Sequence, residues 1–171
     1  MANRLPENKN FLSPLGFKFQ INKLPDMNFF VQSVVLPSID VGTFEQATPF
    51  RMMPTIGDHL EYGDLEVTFR VNESMSNYIE IFDWMMGLGF PEGFDNRKAL
   101  QSQSIVSGQG IYSDATLTIL SSAMNPSVDI LIKDLFPISL SSLRLDSTMV
   151  DVEYIEATVT FKFLNFTIKK L

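Results

Sequence analysis

A chain of 171 residues is long enough for one domain with its own core, and 45% hydrophobic against 19% charged residues excludes disorder along its whole length. Thirteen Lys plus Arg against twenty Asp plus Glu give a formal charge of −7, which disfavours high-affinity nucleic-acid binding through phosphate neutralisation. With no cysteine, disulfides, thiolate chemistry and cysteine-bound zinc are excluded.

The opening residues, MANRLPENKN, are polar and lack the apolar stretch of a secretory signal. No run of about eighteen apolar residues suits a spanning helix, so synthesis in a cytoplasm without membrane insertion is expected. Residues 1–14 read as an N-terminal arm of a single domain covering 1–171. FKFQIN then alternates Phe17, Phe19 and Ile21 against Lys18, Gln20 and Asn22, the pattern of a half-buried strand. A β-branched run in NFFVQSVVLPSID predicts a second strand ending near Leu36, because Pro37 removes a backbone donor.

Residues 41–63 are too long and too proline-interrupted for an ordinary hairpin, and they hold Phe44, Phe50, Met52, Met53 and Ile56 with the sole histidine, His59. Large exposed apolar patches most often mark a protein contact, so the segment is expected to be a projecting docking loop. The alternative is that it folds back over its own sheet. LEVTFRVN then gives the clearest strand, with Leu65, Val67, Phe69 and Val71 on one face. Met75, Tyr78, Ile79, Phe82, Met85 and Met86 recur at helical spacing after a cap at Asn72 or Ser74, and Gly87 and Gly89 permit the exit. This is expected to be the only long helix.

Residues 91–110 are mostly polar and read as an exposed loop. DATLTIL and SVDILIK alternate on either side of an Asn125-Pro126 turn signal, which predicts a hairpin. A short strand is expected around Leu143 to Leu145. The last segment has Ile155, Ala157, Val159, Phe161 and Phe163 on one face and Leu164, Phe166 and Ile168 on the other. A bulge near Phe163 and Leu164 would reconcile the two phases of one long strand.

Chemistry is sparse. A hydrolase needs a nucleophile, a base and an orienting group, and His59 is the one imidazole. Neighbouring strand residues point to opposite faces, so Asp58 turns away from His59 unless the backbone is irregular there. One histidine and no cysteine leave no zinc or iron ligand set, and the calcium-loop spacing is absent. The GLG at 87–89 follows a helix instead of preceding one, and the GQG at 108–110 lacks a phosphate-loop ending. Carboxylate pairs Glu61 with Asp64 and Asp151 with Glu153 read as surface acids, and Met85 and Met86 beside Trp84 as packing. No catalytic residue, cofactor or metal is expected.

In order, VVLPSID, GDHLEYGDLEVTFRVNES, the helix with Phe82-x-Trp84, the hairpin, Leu135-Phe136-Pro137 and a long final strand form a series. It resembles the tail tube proteins of contractile-tailed, T4-like bacteriophages over about residues 15–168. The resemblance implies a mainly β fold: a twisted two-sheet β-barrel or sandwich with one flanking helix and a long projecting loop. It implies hexameric rings stacked into a tube inside a sheath, with sheath, baseplate and terminator proteins as partners. It further implies a place in a virion tail assembled in the bacterial host cytoplasm, with transient, non-specific DNA passage that negative charge would help. Residues 41–63 would dock on a neighbouring subunit, and Thr116, Thr118, Thr158, Thr160 and Lys162 would face the lumen. The alternatives are a ring at a tube end, whether baseplate initiator or terminator, and a small β-barrel enclosing an apolar ligand.

Overall fold

Alternating side chains commit five segments to strands whose apolar faces need a common cover, and the computed structural model shows how they find it. It describes residues 10–89, 93–107, 110–148 and 154–171. Residues 1–9 of the arm, residue 90, 91–92 and 108–109 of the 91–110 segment, and the Asp151 and Glu153 pair lie outside the described residues. In chain order the elements are β1 (Phe17–Ile21), α1 (Pro25–Phe30), β2 (Val31–Val35), β3 (Ile39–Ala47), β4 (Met52–Tyr62) and β5 (Leu65–Arg70). They continue with α2 (Ser76–Gly89), α3 (Asp95–Ser107), β6 (Ser113–Leu120), β7 (Pro126–Leu140), β8 (Glu156–Lys162) and β9 (Asn165–Lys170).

The fold is mainly β, as expected. Seven strands join in the order β1-β6-β7-β8-β5-β2, with β9 also on β7, and β3 and β4 form a separate two-stranded sheet. Every pairing is antiparallel. The long strand β7 serves two half-sheets. Its first part pairs β6 and β9 up to Lys133, and its second, from Phe136, pairs β8. Between them Asp134 adopts a positive φ of 55°, and the strand changes partners there. Among the described residues β1, β2 and β9 each pair on one side only, so the strands form an open two-sheet arrangement and not a closed barrel.

The inward faces of both halves meet in one core: Phe19, Ile21, Ala115, Leu117, Ile130 and Ile132 from one, Leu65, Val67, Phe69, Ala157, Val159 and Phe161 from the other. Helix α2 covers this core with Ile81 and Trp84, whose ring lies 6.3 Å from that of Phe161. Burying each of these large side chains contributes about 1.5–3 kcal/mol.

Several expectations are corrected. The inward face of α2 runs through Asn77, Ile81, Trp84 and Gly87, whereas Ile79 and Phe82 face outward. Buried Asn77 decides this phase: its amide donates to the Arg70 carbonyl at 2.8 Å and its Oδ1 accepts from the Asn72 backbone N–H. Residues 95–107 form helix α3, not a loop. Asp95 favours its first turn, Lys98 sits 3.8 Å from Asp95, and Leu100 supplies a buried anchor, while the polar run around it gives little periodicity. A third helix, α1, begins at Pro25, a residue suited to the first helical turn. Asn28 ties it to β1 by accepting from the Ile21 N–H and donating to the Ile21 carbonyl.

No strand forms at Leu143 to Leu145. The final segment breaks at Phe163–Leu164, near the expected bulge, but the break is a change of partner. β8 pairs β5 and β7, while β9 crosses to the other part of β7, and the Leu164 N–H donates to the Lys133 carbonyl at 3.0 Å.

Lys23 fastens the 110–111 segment to the core. Its Nζ donates to the Gly110 carbonyl at 2.5 Å and lies 4.8 Å from the centroid of Trp84, whose Nε1 donates to the Ile111 carbonyl at 3.0 Å. Burial lowers the Lys23 pKa from 10.5 to about 8. Between these values the unfolded chain binds more protons than the folded one at this position, so its contribution makes stability rise with pH across that window. Urea denaturation midpoints measured from pH 8 upward are expected to show a rise that Lys23→Met removes.

Candidate inter-subunit surfaces

Residues 41–63 lie within a two-stranded antiparallel hairpin, which corrects the expected loop. β3 and β4 pair from Ile39↔Tyr62 out to Ala47↔Met52, and Pro54 causes no break because it sits on an edge with no strand beyond it among the described residues. The register shifts once, where Gly42 on β3 faces Gly57, Asp58 and His59 on β4. The two backbones cross tightly there: a Cβ on Gly57 would sit 2.6 Å from the Gly42 carbonyl carbon. Glycine is the residue that permits this approach.

The crossing separates a root from a tip. At the root, the Gly63 N–H donates to the Ser38 carbonyl at 2.9 Å, and the Tyr62 ring packs 5.5 Å from Phe163 and 5.4 Å from Phe166. At the tip, Thr48 closes the turn, its hydroxyl donating to the Arg51 carbonyl at 2.5 Å, and Phe50 stands 97% exposed. The register puts Phe44 and Met53 on one face of the tip and Met52 and Ile56 on the other, all of them exposed. The hairpin does not fold back over the sheets: every β3 residue is exposed.

His59 and Asp58 do meet, with Nδ1 and Oδ1 2.5 Å apart, because both lie in the register shift where strand alternation lapses. The pair is 81% and 91% exposed, open to bulk water. No group of three or more His, Asp or Glu among the described residues is placed to hold a metal.

The threonines named for a lumen fall into two sets. Thr116 and Thr118 lie on the outer face of the β1–β6–β7–β9 half, and Thr158 and Thr160 on the outer face of the other half. The structure therefore does not bring them together. Thr118 donates to Asp129 at 2.7 Å, Thr68 and Thr158 hydroxyls lie 3.2 Å apart, and Lys162 pairs with Asp64. The free edges β1 and β9 carry no motif. The signal that exposes them is topological, in the change of partner after Lys162.

The chain is similar over its whole length to the tube-terminating cap of the anti-feeding prophage, with a TM-score of 0.68, 15% identity and 100% of each chain covered. A chain of the PVC sheath–tube complex, an extracellular contractile injection system, gives 0.65 and 16%, covering 95% of this chain and 94% of that one. The sheath/tube terminator of the same system gives 0.64 and 18%, with 95% and 99% covered. The chain has a tail-tube-like fold. No protein-family model and no curated protein matches it.

Gly57→Ala forces the Gly42 crossing apart without touching the core. Amide hydrogen exchange across residues 43–56 is expected to accelerate by an order of magnitude or more, about 1.4 kcal/mol or above, while the denaturation midpoint of the seven-stranded sheet stays unchanged.

Proposed function

We propose that this chain is a structural subunit of a contractile-tail tube, forming hexameric rings that stack around a channel. One observation carries this. The β1–β6–β7–β9 half-sheet has a free strand at both margins, so copies of it can be joined head to tail. Its four strands alternate in direction, so β9 of one copy meets β1 of the next antiparallel, like every other pair in the sheet. A closed ring removes both edges, which otherwise invite uncontrolled pairing. Thr116 and Thr118 then line the channel, and Thr158, Thr160 and Lys162 lie on a face turned elsewhere.

The β3–β4 hairpin is the element that reaches a neighbouring ring, burying Phe44, Phe50, Met52, Met53 and Ile56. Its role is mechanical and not catalytic, and His59 is part of the contact surface. Sheath, baseplate and terminator proteins are the partners of such a tube, and in a phage tail built in the host cytoplasm the conduit passes DNA. The tail-tube-like fold supports this reading. A ring at a tube end is the second reading, supported by the cap and terminator among the similar folds. A hairpin that reaches outward on every copy favours the repeating tube. A ligand-enclosing barrel is disfavoured because fully buried side chains such as Leu65, Val67, Phe161 and Ile132 fill the space between the half-sheets.

Negative-stain micrographs of the purified protein are expected to show rings or hollow filaments; a strict monomer sinks the proposal. Removing residues 44–56 is expected to abolish stacking while the rings persist. Filaments that still assemble normally would refute the docking role of the hairpin. Cysteines placed at Gln20 and Thr167 are expected to cross-link between copies and not within one.

A further inference from the structure

The face assigned to the channel does not share the charge of the whole chain. Its outward positions carry Lys18, Lys133 and Lys169 against Asp114 and Asp129, with exposed Asp134 at the bend beside Lys133, so positive and negative charges balance there whereas the chain as a whole is −7. Both carboxylates already accept hydrogen bonds, Asp129 from the Thr118 hydroxyl at 2.7 Å and Asp114 from the Asp134 N–H at 3.1 Å. Among the described residues none of the three lysines forms an ion pair or hydrogen bond. The register places Lys18, Thr118, Asp129 and Lys169 in one row across the sheet, so the row begins and ends in a lysine.

When β9 of one copy joins β1 of the next, Lys169 and the following copy's Lys18 flank the same seam. Neighbouring strands are about 4.8 Å apart, well inside the screening length of about 10 Å at 0.1 M salt. Two unpaired ammonium groups at one seam favour an anion that spans them, and the acidic residues elsewhere on the chain are largely screened from it.

We propose that the outer face of the β1–β6–β7–β9 half-sheet is a lysine band that holds the phosphate backbone of duplex DNA weakly and reversibly as it passes. This rests on the conduit function above and adds to it the side chains that touch the DNA. Charge complementarity favours a phosphate polymer, and ammonium and threonine hydroxyl donors suit phosphate oxygens. The face has no arginine to read base edges and no aromatic ring to stack a base, so the grip is independent of sequence and requires no unpaired strand.

Fluorescence anisotropy of a labelled DNA duplex, titrated with wild-type protein whose rings have been confirmed by micrograph, tests this. Binding is expected at low salt, weakening on the order of tenfold or more between about 50 and 200 mM salt. The triple variant Lys18→Gln, Lys133→Gln, Lys169→Gln is expected to bind on the order of tenfold more weakly, and Lys98→Gln on α3 to match wild type. If the triple variant forms no rings, Lys133→Gln carries the test, since β7 lies away from the seam, with an expected loss of a few fold. Rings that ignore DNA, salt-insensitive binding, or variants that bind as wild type overturn the lysine band and leave the conduit standing. Preference for poly-glutamate over DNA overturns it in favour of an acidic protein cargo. Absence of rings in the wild type refutes the conduit itself, and the band with it.

Discussion

A single strand that belongs to two half-sheets is the constraint on which the structure depends. β7 is fifteen residues long, and nothing in its hydrophobic pattern requires it to stop, yet neither half-sheet can use all of it. Asp134, at a positive φ of 55°, lets the backbone turn, after which Leu135 and Pro137 continue the buried face on the second half. A non-glycine residue tolerates this conformation at a modest cost, and aspartate is among the residue types that do so most readily. The turn lets inward side chains from both halves meet in one core. It also releases the first part of β7 to take β9 as its second neighbour, and so creates the free margin at β9.

Strong alternation made most strands legible. β1, β5, β6 and β8 each show inward residues every second position, and the structure buries them accordingly. Helix α2 was legible as a helix but not in its phase, because its most apolar stripe is not its buried one. The amide of Asn77, bonded to the end of β5, outweighs the apolar spacing of Ile79 and Phe82, as a buried polar group must find partners. Helix α3 was invisible for the opposite reason. A helix so rich in polar residues carries almost no periodic signal, and its serines and glutamines resemble a loop.

The hairpin was misread for a third reason. Prolines normally argue against a strand, but in an isolated two-stranded ribbon each strand has an open side where a missing donor goes unnoticed. Gly42 and Gly57, fifteen positions apart, gave no local sign that their backbones cross. Nor did sequence order reveal that Lys162 and Asn165, close along the chain, sit in different half-sheets. That choice depends on which partner is left unpaired, a property of the completed fold.

The tip of the hairpin poses a problem that the chain cannot solve by itself. With Phe44 and Met53 on one face and Met52 and Ile56 on the other, laying the ribbon down on its own sheet would cover one pair and leave the other in water. An ordinary hairpin avoids this by alternating apolar with polar residues, as the half-sheets do here. Both faces lose their contact with water only when the ribbon is inserted between two bodies. The anchoring of the root by Tyr62 and the glycine crossing above it hold the tip away from its own domain, which is why the proposed function gives those two bodies to other subunits. In the proposed tube, a two-sided ribbon entering a cleft between neighbours would tie the ring that supplies it to the ring that receives it, using side chains that the isolated fold leaves exposed.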